Sequence, residues 1–257
     1  MQTYQYKALP EKTIHIPIPN TSLHINAVLR GDWSQPVVIL VHGLRGSNMG
    51  VLPFMGAKFL SQQGFATLRV NLYDFDTDTR NLVDCTLQTH ADDFDTIVRY
   101  IRRKKAPTVL AAGHSYGGLT ILRSTAQLDG AVLWDPTHLQ CIALSDAQEH
   151  PQSQIIKSAN AAISFNGYGR LDSLPMRKER QQYQNLEDAK LTNKEYPLLF
   201  IAAGKGILLP YIKQYFAAAQ EPKKLVVVKN ASHSLCDTDD ILFETFDQAA
   251  RWLKKYS

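Results

Sequence analysis

No stretch of this sequence stays apolar over the roughly 20 residues that a membrane-spanning helix needs. The first residues, 1–7, also lack the charged and then apolar pattern of a secretory signal. We therefore expect no membrane span and a cytoplasmic location.

Cysteine is scarce and scattered. The three residues Cys85, Cys141 and Cys236 form no Cys-x-x-Cys pair. An odd and sparse set argues against a disulfide framework and against a zinc site. Nothing else in the sequence indicates a metal or an organic cofactor, so we expect none.

Charge of either sign is limited, with a formal net charge of +4. The basic clusters at 102–105 and 177–180 are typical of solvated ends of helices or loops, and the first would complement the negative C-terminal pole of a helix. A nucleic-acid partner would need a broader basic face with stacking aromatic residues, which is missing. The sequence leaves a homo-oligomer open.

The order of predicted elements indicates an α/β protein. Alternating stretches at 13–17 and 23–29 predict half-exposed antiparallel strands at a sheet edge. Strands and helices then alternate, which predicts a mainly parallel, doubly wound sheet with helices on both faces. The predicted strands are 37–41, 66–70, 108–112, 131–134, 197–202 and 224–228, and the predicted helices include 50–63, a periodic stretch at 87–101, 119–123 and 241–253.

The segment 137–195 breaks this rhythm, because it is long, polar and weakly periodic. A structureless loop of that length is improbable in a compact domain. We predict a helical cap or lid at 137–195, with short helices around 153–163 and 175–186, inserted into a core formed by 1–136 and 196–257. A surface excursion without a role is the alternative.

The run 108–112 leads into Gly113-His114-Ser115-Tyr116-Gly117 and then into a predicted helix. Strand, Gly-x-Ser-x-Gly and helix in this order indicate a nucleophile elbow, in which a tight turn exposes the serine hydroxyl. Small neighbours are needed because the turn forces strained backbone geometry on the serine. A glycine turn with an idle serine remains the alternative at this point.

The elbow on the third parallel strand and the order of elements around it resemble the α/β-hydrolase family over essentially the whole chain. The segment Val41-His42-Gly43-Leu44-Arg45-Gly46 is similar to the oxyanion loop of that family. The resemblance implies that the backbone N–H groups of Leu44 and Tyr116 stabilise an oxyanion. It also implies that His42 packs the loop and is not a catalyst.

The resemblance places the general base after the last strand, where the sequence has His233. His114, inside the elbow, and His138, too early in the chain, are weaker candidates. The usual family position for the acid, after the strand at 197–202, holds no carboxylate. Because some members place the acid one strand earlier, Asp135 is the favoured candidate, with an N-cap before Pro136 as its alternative. Asp172 and Asp237 would need an unusual route.

We therefore expect a serine hydrolase that cleaves a carboxylic ester through an acyl-enzyme on Ser115. The alternatives are an acyl thioesterase with the same mechanism and a non-catalytic ligand-binding module on the same fold. A small-molecule acyl ester or thioester is the expected partner. Apolar side chains that could line an acyl pocket, or simply belong to the core, are Leu52, Phe54, Met55, Ile155, Ile156, Ile163 and Phe165.

Overall fold

A computed structural model describes residues 9–139, 154–165, 169–182 and 194–257 of the chain. The strands are β1 Glu11–Pro17, β2 His24–Arg30, β3 Val37–Val41, β4 Ala66–Val70, β5 Val109–His114, β6 Gly130–Trp134, β7 Gln154–Ile156, β8 Ala161–Phe165, β9 Gly169–Ser173, β10 Leu198–Ala203 and β11 Lys223–Val228. The α-helices are α1 Val51–Gln62, α2 Leu87–Arg103, α3 Tyr116–Arg123, α4 Leu174–Arg180, α5 Leu209–Ala218 and α6 Asp239–Leu253, with short 3₁₀ turns at Leu82–Asp84 and Lys157–Ala159.

Eight strands form one twisted sheet in the order β1-β2-β4-β3-β5-β6-β10-β11. The pairs β1–β2 and β2–β4 are antiparallel, and every later pair in this sheet is parallel. The predicted antiparallel edge and mainly parallel sheet are therefore confirmed. In a parallel sheet the C-terminal strand ends gather at one edge, which is where ligands bind in this fold class.

The central strands are buried on both faces because helices cover each side of the sheet. In β3 the side chains of Val37, Ile39 and Val41 belong to one apolar core with α2, α3 and α5. The intervening Val38 and Leu40 belong to a second core with α1 and α6. This alternation explains why the central strands are continuously apolar in sequence.

The insertion contains a small antiparallel sheet in the order β7-β8-β9, followed by α4. The helix that we predicted around 153–163 is therefore wrong where the chain is described, since 154–163 consists of β7, a 3₁₀ turn and part of β8. The antiparallel pairing of β8 with β7 on one side and with β9 on the other decides the local structure there. The helix predicted around 175–186 corresponds to α4, and its last residues lie outside the described chain.

Side chains of α4 and its N-cap attach the insertion to the core. Glu179 accepts hydrogen bonds from the backbone N–H groups of Leu87 and Gln88 at the start of α2, at 2.5 and 3.1 Å. Ser173 Oγ donates to the carbonyl of Cys85 at 2.5 Å. A carboxylate at a helix N-terminus satisfies donors that the helix itself leaves unpaired.

Among the described helices, none is long and apolar enough to span a membrane.

Candidate active site

Ser115 lies at the turn between β5 and α3 with φ 55° and ψ −115°. This left-handed geometry is strained for a residue with a side chain, and the surroundings must hold it. Gly113 and Gly117 allow the close backbone packing that holds this geometry. A Cβ on Gly113 would lie 2.5 Å from the Gly117 carbonyl, and one on Gly117 would lie 2.4 Å from the carbonyl oxygen of Val41. The predicted strand–turn–helix elbow is present.

His233 lies in the loop after β11, and its Nε2 is 3.0 Å from Ser115 Oγ. The neighbouring ring of His114 supports this loop, because His114 Nε2 is 2.8 Å from the carbonyl oxygen of His233. Burial and the nearby His233 ring lower the pKa of His114 to about 4. His114 is thus neutral near pH 7 and donates its Nε2–H to that carbonyl.

Asp135 follows β6 and is fully buried, with φ 42°. Its Oδ2 is 2.6 Å from His233 Nδ1, and its Oδ1 accepts the backbone N–H of Ala203 at 2.8 Å. Its own N–H donates to the carbonyl of Ile201 at 2.7 Å. Both carboxylate oxygens therefore face N–H donors, and the structure brings Ser115, His233 and Asp135 into one hydrogen-bonded row.

The turn after β10, where the family usually carries the acid, is shaped around Asp135 instead. A Cβ on Gly206 would lie 3.5 Å from Asp135 Oδ2, and one on Gly204 would lie 2.4 Å from the carbonyl oxygen of Lys229. The other two carboxylates considered are engaged elsewhere. Asp172 pairs with Arg180, and Asp237 accepts the N–H of Ser232.

Thr137 also lies beside Ser115 and was missed in the sequence. Its Oγ1 is 2.8 Å from Ser115 Oγ, and its N–H donates to the Ser115 carbonyl at 3.1 Å. Its position two residues after Asp135, at the same strand end, was the signal available. His138 beside it packs against the ring of Tyr215, with a centroid distance of 4.4 Å, and does not reach Ser115 by any hydrogen bond in the described chain.

Leu44 lies in a tight turn after β3, closed by a hydrogen bond of 3.0 Å from Gly46 N–H to the Gly43 carbonyl. Leu44 N–H is outside that bond. His42 supports the turn, as predicted, since its Nδ1 contacts the Gly43 carbonyl at 2.8 Å and its Nε2 accepts the N–H of Leu72 at 3.2 Å. Burial lowers the pKa of His42 to about 4, which fits a neutral ring that uses one nitrogen as donor and one as acceptor.

Tyr116 is the first residue of α3, so its N–H lies at the positive end of that helix. The turn containing Leu44 follows β3 and the elbow follows the adjacent β5. Both backbone segments thus border the same cavity, while Asp135 and Thr137 approach Ser115 from the β6 side.

A cavity of about 360 Å³ opens at Ser115 and His233, with Leu44, Val51 and Leu52 among its walls. A second cavity of about 670 Å³ shares the Arg45–Ser47 turn and Gly50 with it. Met49, Phe75 and Leu171 give this larger cavity an apolar border. Of the apolar residues considered from sequence, Leu52 lines the smaller cavity, whereas Ile155 and Ile156 are exposed. The Phe165 side chain lies outside the described part.

The residues of the described ranges contain no group of three or more His, Cys, Asp or Glu side chains arranged to hold a metal ion. The described cysteines, Cys85 and Cys236, are both free thiols.

The sequence profile of the alpha/beta hydrolase family matches residues 38–245. The chain belongs to this family. Several solved structures share the fold of this alpha/beta hydrolase. Est1E from Butyrivibrio proteoclasticus with bound ferulic acid has a TM-score of 0.76 at 18% identity, over 95% of this chain and 98% of that chain.

Two further structures are similar. The esterase domain from a Rhodothermus marinus protein has a TM-score of 0.67 at 18% identity, over 96% of this chain and 99% of that chain. The Pyrococcus furiosus esterase Pf2001 has a TM-score of 0.69 at 13% identity, over 96% and 93%. A search of curated proteins finds no match to this hydrolase-family chain.

Proposed function

We propose that this alpha/beta hydrolase is a serine hydrolase that cleaves carboxylic esters through an acyl-enzyme on Ser115. The observation that carries the proposal is the unbroken row from Ser115 Oγ to His233 Nε2, at 3.0 Å, and from His233 Nδ1 to Asp135 Oδ2, at 2.6 Å. Nucleophile, base and orienting acid within hydrogen-bond reach are the signature of an activated serine.

Asp135, at the buried end of the row, determines which nitrogen of His233 carries the proton. The Asp135 carboxylate accepts from His233 Nδ1–H, which leaves Nε2 as an acceptor. Ser115 therefore donates its hydroxyl proton to Nε2, and its oxygen is left to accept a hydrogen bond from Thr137 Oγ1–H. The proton thus lies on the path to the base before a substrate arrives.

The reaction follows from this arrangement. Ser115 Oγ attacks the acyl carbon and its proton moves to His233 Nε2; the ester C–O bond then breaks and the same proton passes to the departing alcohol. A water molecule next attacks the acyl carbon, gives a proton to His233, and releases the acid while Ser115 recovers its hydrogen. Asp135 stabilises the imidazolium in both halves.

Leu44 and Tyr116 supply the two backbone N–H donors for the oxyanion in this proposal. Their segments border the cavity at Ser115, and donors fixed by a turn and by a helix start need no reorganisation during the reaction. Removing one such donor typically slows an enzyme by about 10² to 10³-fold.

An ester substrate is supported by the neighbours, since two are named esterases and Est1E holds a carboxylic acid, ferulic acid. A thioester fits the same chemistry and is the alternative. In this proposal residues 137–195 act as a cap, because Leu171 of β9 borders the larger cavity beside Arg45.

A fluorophosphonate probe tests the proposal. We expect covalent labelling of the wild-type protein that disappears in Ser115→Ala, together with hydrolysis of nitrophenyl esters. The graded chain lengths of such an ester panel, run beside acyl-CoA thioesters, distinguish the two substrate classes. A folded wild-type protein that neither reacts with the probe nor turns over any of these substrates would be a non-catalytic binding module, and the proposal would fail.

A further inference from the structure

A chain of four polar side chains joins the insertion to the two loops beside Ser115. Arg180 of α4 donates from Nη1 to Tyr116 Oη at 2.8 Å and from Nη2 to Asp172 Oδ2 at 2.9 Å. Asp172 also pairs with Arg45, whose Nη2 is 3.5 Å from the same oxygen. Arg45 Nε donates to the carbonyl of Leu171 at 2.8 Å.

The Arg180–Asp172 part of this chain is deeply buried, with residue exposures of 1% for Arg180 and 5% for Asp172, whereas the Arg45 side chain is 31% exposed. Burying an ion pair contributes little net stability, because the desolvation of both charges offsets most of their attraction. An apolar pair of similar volume would serve stability at least as well. We therefore look for the role of the ionic pair in what its fixed geometry holds in place.

The two ends of the chain hold the two segments that carry the proposed oxyanion donors. Arg45 directly follows Leu44, and it has φ 61°, a left-handed conformation that a residue other than glycine keeps only when its surroundings enforce it. Tyr116 carries the second donor on its own backbone, and its phenol oxygen accepts the hydrogen bond from Arg180. One insertion carboxylate thus links both donors.

The insertion side of the chain is itself anchored. Glu179, the neighbour of Arg180, caps the start of α2, and Ser173, the neighbour of Asp172, is bonded to the Cys85 carbonyl. Met176 of the same helix is fully buried in the apolar core that contains α2, α3 and α5. The side chains of Arg180 and Asp172 therefore extend from a rigid base.

We propose that Asp172 and Arg180 are positioning residues for the oxyanion hole, through which the insertion holds the Leu44 turn and the Tyr116 helix start at a fixed separation. The inference rests on the proposed function, because it assigns these side chains to that same site. A misplacement of about 1 Å in a catalytic group can slow a reaction by about 10²-fold. These two side chains of the insertion then contribute to catalysis without touching the substrate.

Tyr116→Phe is the mildest test, since it removes only the phenol oxygen that Arg180 binds. We expect kcat for a nitrophenyl ester to fall about 10-fold to 100-fold, with KM changed less than threefold. We expect a decrease of kcat in the same range for Asp172→Asn. Because both variants interrupt one chain, the double variant should lose much less than the product of the two single losses.

A second readout separates positioning from a general loss of packing. A trifluoromethyl ketone adds to the serine as a tetrahedral oxyanion, so its inhibition constant should rise in parallel with the loss of kcat/KM. Binding of the uncleaved ester to each variant in a Ser115→Ala background should stay within threefold of the parent. The matched control is Asp93→Asn, since Asp93 is an equally buried partner of Arg80 outside this chain.

Asp93→Asn should leave kcat and the ketone inhibition constant within threefold of wild type, whatever it does to the melting temperature. Wild-type activity and ketone inhibition in folded Tyr116→Phe and Asp172→Asn would overturn the inference while the proposed function stands. If Asp172→Asn does not fold, Tyr116→Phe and Arg45→Lys decide the matter. An unreactive wild-type protein would instead overturn the proposed function.

Discussion

His233 Nδ1 lies 2.6 Å from Asp135 Oδ2, and this carboxylate follows β6 and not β10. In the parallel register of β5 and β6, His114 is the partner of Trp134, so Ser115 and Asp135 are the first residues after the ends of two adjacent strands. A hydrogen bond of 3.0 Å from Ser115 N–H to the Trp134 carbonyl fixes this relation in the backbone. The proposed nucleophile and the proposed acid are therefore positioned by one strand pair.

Asp135→Asn should lower kcat by about 10³ to 10⁴-fold in ester hydrolysis. The amide of the asparagine can donate from its NH₂ group to His233 Nδ1, which then becomes an acceptor. The ring proton is then on Nε2, so Nε2 cannot accept the proton of the Ser115 hydroxyl. The Ala203 N–H still finds an oxygen, so the fold should persist. Steady-state kinetics with circular dichroism at equal concentration measure both effects, and near wild-type activity would show that the acid lies elsewhere.

Thr137→Val should reduce the rate of Ser115 acylation about fivefold, because the developing charge on Oγ loses a hydrogen-bond donor worth on the order of 1 kcal/mol. Thr137→Ser keeps the hydroxyl and should retain most of the rate. Single-turnover labelling with a fluorophosphonate measures the step directly. Thr245→Val, which removes a buried hydroxyl in α6, is the control and should not change it; equal loss in the Ser and Val variants at position 137 would refute the role.

His90 should make the protein less stable in mild acid. Burial, with His42 and Arg80 nearby, lowers its pKa to about 3 from an ordinary value of 6.5, so the unfolded chain binds a proton between these values that the folded chain does not. Stability is therefore lost as the pH falls from about 6.5, by about 2 kcal/mol at pH 5 from this group.

Urea unfolding at pH 7 and pH 5 checks this dependence. The variant His90→Phe keeps an aromatic ring against Tyr73, whose ring centroid is 5.7 Å away, and has no proton to gain. It should lose less stability than wild type between the two pH values. Identical pH dependence in both proteins would contradict the assignment.

Much of the core could be predicted because its signals are local. The continuous apolar pattern of 37–41 and the glycines around Ser115 each report their own surroundings, and the structure confirms both elements. The position of Asp135 followed from the vacant turn after β10, and the structure places it beside His233. Its catalytic role stays a prediction.

The features that were missed depend on residues far apart in the chain. One example is the chain of contacts between the insertion and the core. It forms only when the insertion packs on the core, so no spacing in the sequence indicates it. Its members are Arg45, Tyr116, Asp172 and Arg180. The helix predicted around 153–163 was wrong for β7 and the start of β8, because these strands are short and the first of them is exposed. Pairing partners, and not local periodicity, decide such a segment.

The approach of Gly206 to Asp135 has a consequence for the residue types that position 206 accepts. A carboxylate at 206 would place a second negative charge against the one already on Asp135, and two carboxyl groups at that range hold a shared proton instead of both ionising. A carboxylate introduced at 206 would therefore disturb the ionised Asp135 on which the orientation of His233 depends.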